Sequence, residues 1–129
     1  MPDKPTVLVL DDESEVRTAM ARLLGRYGYE AVTAATLDEA RALLRSRSIQ
    51  ALILDVRLQE EGTGLDLLGT IRGEAEFQKA PILIFTGSFL TEADQMFITR
   101  HRAFLFYKPE GIDTLVKFLD NLTGRDRPH

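Results

Sequence analysis

The chain has 129 residues, enough for one domain, and its 44% hydrophobic and 28% charged residues are typical of a folded globular protein. Lys and Arg number 16 against 20 Asp and Glu, and the net charge of −4 excludes a main role in binding the nucleic-acid backbone. The sequence has no apolar run of membrane-span length and no signal-peptide pattern, so we expect a cytoplasmic protein without membrane insertion. With no cysteine and two histidines, thiol catalysis and thiolate or imidazole metal clusters are excluded, and any bound metal should be one that prefers oxygen.

Short apolar stretches alternate along the chain with segments of helical spacing. Strands are predicted over residues 6–10, 31–35, 51–54, 82–85 and 103–107. Five helices are predicted between and after the strands. The first has an apolar face at Val16, Met20, Leu23, Leu24 and Tyr27, the second begins with a capping box at Thr36 and Glu39, and the third spans about residues 65–72. The fourth begins at Thr91 with Ala93, Met96 and Phe97 facing inward, and the fifth has an apolar face at Ile112, Leu115, Val116 and Leu119. Strand then helix, five times over, predicts an α/β fold with a doubly wound parallel sheet and helices on both faces.

Polar residues stand at the carboxyl ends of four of the five predicted strands. Asp11-Asp12 follows the first strand, Asp55 the third, Thr86-Gly87 the fourth and Lys108-Pro109 the fifth, whereas the second ends in Ala34-Ala35. With the strand order 2-1-3-4-5, the four polar ends are neighbours at the edge where open parallel sheets bind ligands. Each group alone has a structural explanation, such as a helix cap or a turn. Their coincidence is what predicts a functional site.

The predicted site has the residue types needed for phosphoryl transfer onto a carboxylate. Three carboxylates in one cleft repel one another unless a cation lies among them, and Mg²⁺ suits carboxylates beside a phosphoryl group. Lys108 and Thr86 would offer positive charge and a hydroxyl from the opposite side. Asp55, alone on the central strand, is the predicted nucleophile.

These motifs together resemble the receiver domain of bacterial two-component response regulators over about residues 6–122. The motifs are VLVLDDE at 7–13, LILDVRL at 52–58, GLDLL at 64–68, PILIFTG at 81–87 and KP at 108–109. The resemblance implies a flavodoxin-like fold with five helices around the five-stranded sheet.

The resemblance also implies specific roles for the site residues. Asp55 would accept a phosphoryl group from a phosphohistidine of a histidine kinase or histidine phosphotransfer protein, becoming a 4-aspartylphosphate. Asp12 would bind Mg²⁺ directly and Asp11 largely through water, with Asp55 and the backbone carbonyl of Arg57 completing the protein ligands; Mn²⁺ could replace Mg²⁺. The residues implied to hold phosphoryl oxygens are Thr86, Gly87 and Lys108. Arg57 and Ser88 would flank the path of the attacking water and tune the lifetime of the phosphorylated form.

The chain departs from the family pattern at the switch aromatic, where it has Leu105 three residues before the lysine. Tyr107, on the same strand face, could supply the aromatic surface. Alternatively, the signal could travel through the loop after Thr86 and the helix that follows, and we favour this second route. Gln59 replaces the usual proline in a loop that looks one residue longer, and a cis bond is implied before Pro109.

We expect a stand-alone receiver over residues 1–124 with a short polar tail at 125–129, because no room remains for an output domain. It would be a signalling protein and not an enzyme, with Mg²⁺-dependent self-phosphorylation from a donor and slow autodephosphorylation. It would act as a monomer or weak dimer on an unknown downstream protein. The alternatives are a degenerate receiver acting as a phosphorylation-independent interaction module, and a phosphate sink or relay. A phosphatase of the haloacid dehalogenase group would need Asp-x-Asp after the first strand and a larger chain.

Overall fold

The computed structural model describes residues 4–58, 63–108 and 111–123, and within these ranges five strands and five α-helices alternate. The strands are β1 Thr6–Leu10, β2 Glu30–Ala34, β3 Ala51–Leu54, β4 Ile82–Thr86 and β5 Phe104–Tyr107. The helices are α1 Ser14–Arg26, α2 Leu37–Ser46, α3 Gly64–Arg72, α4 Glu92–Arg100 and α5 Ile112–Thr123, and a 3₁₀ turn spans Ala75–Phe77. The strands are all parallel in the order β2-β1-β3-β4-β5, which confirms the predicted doubly wound sheet. None of the helices in these ranges has the length and apolar character needed to cross a bilayer.

The sheet separates two apolar cores, because successive side chains of a strand point to opposite faces. On β3, Leu52 and Leu54 pack with the side chains of α2, α3 and α4, whereas Ile53 packs with those of α1 and α5. The three inner strands β1, β3 and β4 are buried throughout, and β2 and β5 at the edges are partly exposed. The sheet therefore holds the carboxyl ends of its inner strands in a rigid frame.

The helix starts follow the predicted capping chemistry with one difference. The Thr36 hydroxyl accepts from the Glu39 N–H at 3.1 Å, as expected for the first residue before α2. The Glu39 carboxylate, however, accepts from the Ala35 N–H at 2.7 Å, one residue earlier than a capping box requires. Thr91 and Asp94 form a complete capping box at the start of α4.

The predicted inward face of α4 is wrong for two of its three residues. Ala93 and Met96 are exposed, Met96 at 55%, whereas Ile98 is buried and Phe97 packs against the core. Met96 and Ile98 lie about 200° apart around a helix, so burying one exposes the other. Packing of Ile98 against the sheet, and not the weak amphipathic pattern of this short helix, sets the rotation of α4.

Arg72, at the end of α3, is a buried residue whose role the sequence did not reveal. Its guanidinium donates to backbone carbonyls on both sides of the helix end, including those of Phe77 at 2.7 Å, His101 at 2.7 Å and Arg102 at 3.0 Å. Arg102 itself has a positive φ of 58°, which is uncommon for a residue with a side chain. Arg72 therefore ties α3 to the turn between α4 and β5.

Three sequence predictions lie outside the described residues. They are the longer loop around Gln59, the cis bond before Pro109 and the polar tail at 125–129.

Candidate functional site

The acidic residues are held at the carboxyl edge of the sheet by backbone hydrogen bonds that extend the strand pairing. The Asp11 N–H donates to the Ala34 carbonyl at 3.1 Å, and the Asp55 N–H donates to the Leu10 carbonyl at 2.9 Å. Each residue therefore continues its strand by one position and then leaves the sheet. These backbone hydrogen bonds alone therefore fix the main-chain positions of Asp11 and Asp55, without any side-chain contact.

Four carboxylates of the described residues converge at this edge. Asp11, Asp12, Glu13 and Asp55 each offer an oxygen, and these oxygens all lie within 4.8 Å of one another. Asp11 and Asp55 are only 2% and 4% exposed, Asp12 is intermediate, and Glu13 is exposed. Such a set of oxygen donors matches the preference of a hard divalent cation.

Lys108 lies directly after β5 and joins the acidic residues from the opposite side. Its Nζ is 3.1 Å from Asp55 Oδ2 and 3.3 Å from Asp11 Oδ2, and it also forms an ion pair with Glu13. The Lys108 side chain is 19% exposed, so this ammonium is held mostly away from water. The ammonium therefore forms ion pairs with three carboxylates.

The end of β4 supplies the hydroxyl of the site. Thr86 is fully buried, and its Oγ1 accepts from the Ser88 N–H at 3.1 Å. The Thr86 side chain also favours the ionised form of Asp55 and so opposes the rise in its pKa. Gly87 lies over the Lys108 stem, where a Cβ would meet Lys108 Cδ at an ordinary 3.5 Å. Thr86 and Gly87, at the end of β4, thus lie between the strand ends that carry Asp55 and Lys108.

Burial of this cluster shifts its ionisation. It raises the pKa of the Asp11 carboxyl to about 6; the Asp55 charge adds to the rise, and the Glu13 N–H and Lys108 oppose it. Burial also raises the pKa of Asp55, although Lys108 and Thr86 act in the opposite direction. For Lys108, burial alone would lower the pKa, but hydrogen bonds to Glu13 and Asp55 and the nearby carboxylate charges hold it above its usual value.

We expect the free energy of unfolding in a metal chelator to fall as the pH rises from about 4 to 7. Asp11 titrates near 6 when folded and near its ordinary 3.8 when unfolded, so the folded state binds more protons in this range. Protonated Asp11 therefore stabilises the folded state fully at a pH below its pKa in the unfolded chain. This contribution, up to about 3 kcal/mol, is lost as the pH rises through the pKa of Asp11 in the folded protein. Urea unfolding of the wild type and Asp11→Asn from pH 4 to 7 measures the difference.

Asp11→Asn has no titrating group at this position and should lose that part of the slope. Comparison of the two proteins cancels the contributions of the carboxyl groups that do not interact with Asp11. Parallel pH profiles would contradict a crowded acidic cleft, whereas added Mg²⁺ should restore wild-type stability at pH 7.

The sequence identified most of the residues that meet here. Those brought together are Asp11, Asp12, Asp55, Thr86, Gly87 and Lys108. Arg57 contributes a backbone N–H 3.3 Å from Asp55 Oδ1, and its side chain is exposed. Tyr107 pairs with Thr86 in the sheet register, whereas Leu105 pairs with Ile84, one pleat farther from the cluster.

Glu13 is the site residue for which sequence reasoning assigned no role. It stands directly after the Asp pair, and this adjacency was the available signal. Its contact with Lys108 spans 95 positions of the chain, so only the fold reveals it.

Comparison with known proteins gives one consistent result. Residues 7–120 match the response regulator receiver domain. The chain is 32% identical to the nitrogen assimilation regulatory protein NtrX of Azorhizobium caulinodans over 85% of its own length and 24% of that protein. It is 29% identical to the photosynthetic apparatus regulatory protein RegA of Rhodovulum sulfidophilum over 69% of its own length and 48% of RegA. The chain thus spans less than half the length of these curated relatives.

Solved structures agree with this match. A response regulator receiver protein from Pseudomonas putida superposes with a TM-score of 0.81 at 29% identity, covering 94% of this chain and 99% of that one. The response regulator TrrA from Thermotoga maritima, solved in complex with Mg²⁺–BeF, gives 0.78 at 26% identity, covering 92% and 98%. Fold, site geometry and the match over most of its length show that the chain belongs to the receiver domain family of two-component response regulators.

Proposed function

We propose that this receiver signals by accepting a phosphoryl group on Asp55. The observation that carries the proposal is the buried Asp55 carboxylate, held by the Lys108 ammonium beside a converging set of acidic oxygens. Asp55 is the carboxylate that lies between the acidic residues after β1 and the lysine after β5. A nucleophile in that position faces cationic and hydrogen-bonding groups that can accept a phosphoryl group.

The chemical step transfers the phosphoryl group from the phosphohistidine of a donor protein. An Asp55 carboxylate oxygen forms the new P–O bond, the P–N bond breaks, and the donor nitrogen keeps the bonding electron pair. Lys108 and the Thr86 hydroxyl donate to the phosphoryl oxygens, and Gly87 leaves open the space beside them. Most of the catalysis in such a reaction comes from positioning and charge stabilisation, which these residues provide.

The acidic donor set fits Mg²⁺, because all of its side-chain donors are carboxylate oxygens and they lie close together. Asp11, Asp12, Asp55 and the backbone carbonyl of Arg57 would hold the ion, and Mn²⁺ could replace it. When bound, such an ion neutralises charge on the phosphoryl oxygens. The complex of the related TrrA with Mg²⁺–BeF supports this proposal.

We expect Asp12→Ala to weaken Mg²⁺ binding more than ten-fold and Lys108→Ala to leave it unchanged or stronger. The first variant removes a ligand. The second removes the ammonium that now contacts Asp11 and Asp55, and so leaves those carboxylates free for the ion. Isothermal titration of both variants with Mg²⁺ provides the measurement. Equal losses in the two variants would contradict this assignment of ligands.

The partners follow from the same chemistry. Receiver domains interact with histidine kinases or phosphotransfer proteins, and we propose one of these as the donor. We also propose that the protein phosphorylates itself from a small donor and that the aspartyl phosphate is hydrolysed slowly, at a rate tuned by Arg57 and Ser88. We also predict a receiver domain over residues 1–124, a monomer or weak dimer, a cytoplasmic location and a downstream protein partner; these stay predictions.

The deciding experiment is incubation with acetyl phosphate, with and without Mg²⁺, followed by intact-mass measurement. A single adduct of about +80 Da that requires Mg²⁺ would support the proposal. Absence of any adduct under both conditions would instead favour the interaction module that works without phosphorylation. Transfer of the group onward to a phosphotransfer protein would distinguish a relay from an end point.

The output switch is tested by Leu105→Ala and Tyr107→Ala. The register places Tyr107 beside Thr86 on one face of the sheet, and Leu105 packs against the core under α3 and α4. We expect both variants to keep phosphate-dependent binding of a partner, because Thr86 and the loop at Phe89 carry the signal. Pull-down with and without phosphodonor measures it. Loss of the phosphate dependence in Tyr107→Ala alone, with normal phosphorylation, would make Tyr107 the switch residue.

A further inference from the structure

Glu13 occupies the N-cap position of α1 without capping the helix. Its backbone is extended, with φ −90° and ψ 115°, and within the described residues its side chain makes no hydrogen bond to the first turn. Ser, Thr, Asp and Asn are the preferred residues at this position because their short side chains reach the free N–H groups. The Glu13 carboxylate instead crosses to the end of β5 and pairs with Lys108. A residue that breaks a local rule in this way is a candidate for a functional role.

The three carboxylates around Lys108 are not equivalent. Asp11 and Asp55 lie on the inner side, with side chains 3% and 4% exposed. The Glu13 side chain is 58% exposed and covers the ammonium from the solvent side. Lys108 is therefore held between a buried pair of acids and one carboxylate at the rim.

We propose that Glu13 is a positioning residue that holds the Lys108 ammonium toward the rim and competes with the phosphoryl group for it. This inference rests on the proposed phosphorylation of Asp55. A phosphoryl group on Asp55 needs at least one N–H of Lys108, and in this structure the ammonium, which has three N–H donors, forms ion pairs with three carboxylates.

Glu13 is the partner that Lys108 can release most readily. An exposed carboxylate regains hydration when its ion pair breaks, whereas a buried carboxylate left without its cation is strongly disfavoured. The Glu13 charge also opposes the approach of an anion to the ammonium. Its removal should therefore strengthen the hold of the site on a phosphoryl group.

The test measures binding of beryllofluoride, a stable phosphoryl mimic, at saturating Mg²⁺ by ¹⁹F NMR. Glu13→Gln keeps the size of the side chain and removes its charge. We expect half-occupancy at a concentration about two- to five-fold lower than in the wild type, the range for loss of one exposed ion pair. The matched control is Glu15→Gln, which removes the same charge from an exposed position in the first turn of α1 and should leave the affinity unchanged.

A second measurement needs neither metal nor mimic. The ¹H–¹⁵N signal of the Lys108 ammonium should be protected from water exchange in the wild type and in Glu15→Gln, and weakened or lost in Glu13→Gln. Protection equal to wild type in Glu13→Gln would overturn the inference, because the ammonium would then be held by the buried acids alone.

The outcomes separate this inference from the proposed function. If the wild type binds no beryllofluoride, the proposed phosphorylation fails. If it binds and Glu13→Gln binds equally or more weakly, phosphorylation stands and the competition by Glu13 is overturned. A loss of Mg²⁺ affinity of more than ten-fold in Glu13→Gln would also overturn it, since Glu13 would then be a metal ligand.

Discussion

Replacing Asp55 by Asn is expected to abolish the +80 Da adduct formed with acetyl phosphate and Mg²⁺ while the protein stays folded. The amide has the shape of the carboxylate but lacks its charge and the nucleophilic oxygen that forms the P–O bond. We expect a rate at least about a thousand-fold below the wild type, which is effectively no adduct in the time of the experiment. Intact mass and circular dichroism on the same sample measure the two parts of the prediction.

The fold should tolerate this change because it removes a charge that burial disfavours. The pKa of Asp55 is raised mainly by burial, so the ionised carboxylate is held at some cost in the folded state. The loss of the 3.1 Å contact to Lys108 opposes this gain, but Lys108 keeps Asp11 and Glu13 as partners. The net change in the free energy of unfolding should therefore be small.

Asp38→Asn is the matched control for Asp55→Asn. Asp38 lies in the first turn of α2 with its side chain 93% exposed, far from the acidic cluster in the chain, and the chemical change is the same. This variant should form the adduct at the wild-type rate. An adduct on Asp55→Asn that appears as fast as in the control would show that another residue is the phosphoryl acceptor.

The site could be predicted from the sequence because the topology of a parallel sheet places the carboxyl ends of its strands at one edge. Once the strands are recognised, Asp11, Asp55, Thr86 and Lys108 must lie at one edge, whatever the details of packing. The structure confirms the order of the strands and brings Asp11, Asp55 and Lys108 into contact at this edge. Periodicity and strand ends are local patterns, and local patterns can be read from one sequence.

What the sequence did not predict depends on contacts between distant segments. The Glu13 pairing with Lys108 and the Arg72 contacts with the turn at His101 join residues from different elements, and no local pattern encodes them. The prediction of which face of α4 is buried was wrong for a related reason. Its hydrophobic residues do not form a clear stripe, so packing against β5 and α3 decides that Ile98 and not Met96 is buried.

Gly64 is the position where a single methyl group should disturb both the fold and the site. It is the first residue of α3, it is buried, and its N–H donates to the Val56 carbonyl at 3.0 Å. A Cβ at Gly64 would lie 2.9 Å from the Asp55 carbonyl carbon and would overlap the carbonyl oxygen. The Asp55 backbone cannot simply move away, because its N–H is bonded to Leu10 in the sheet.

We therefore expect Gly64→Ala to lower the free energy of unfolding by about 2–3 kcal/mol, a typical cost of overpacking, and the melting temperature by roughly 10 °C. The displaced Asp55 should also lose phosphorylation rate by about a hundred-fold, because transfer depends on its position relative to Lys108 and Thr86. Urea unfolding and the acetyl phosphate assay, run at a temperature where the variant is folded, measure the two effects separately.

Gly25→Ala makes the same chemical change, but we expect it to raise the free energy of unfolding. Gly25 lies inside α1, and a Cβ there would meet nothing within 4 Å. Alanine restricts the unfolded chain and favours the helix, so this variant should gain about 0.5–1 kcal/mol and keep the wild-type phosphorylation rate. Equal stabilities for the two alanine variants would mean that the backbone around Asp55 yields to the methyl group, and the close approach of Gly64 would then not fix the position of Asp55.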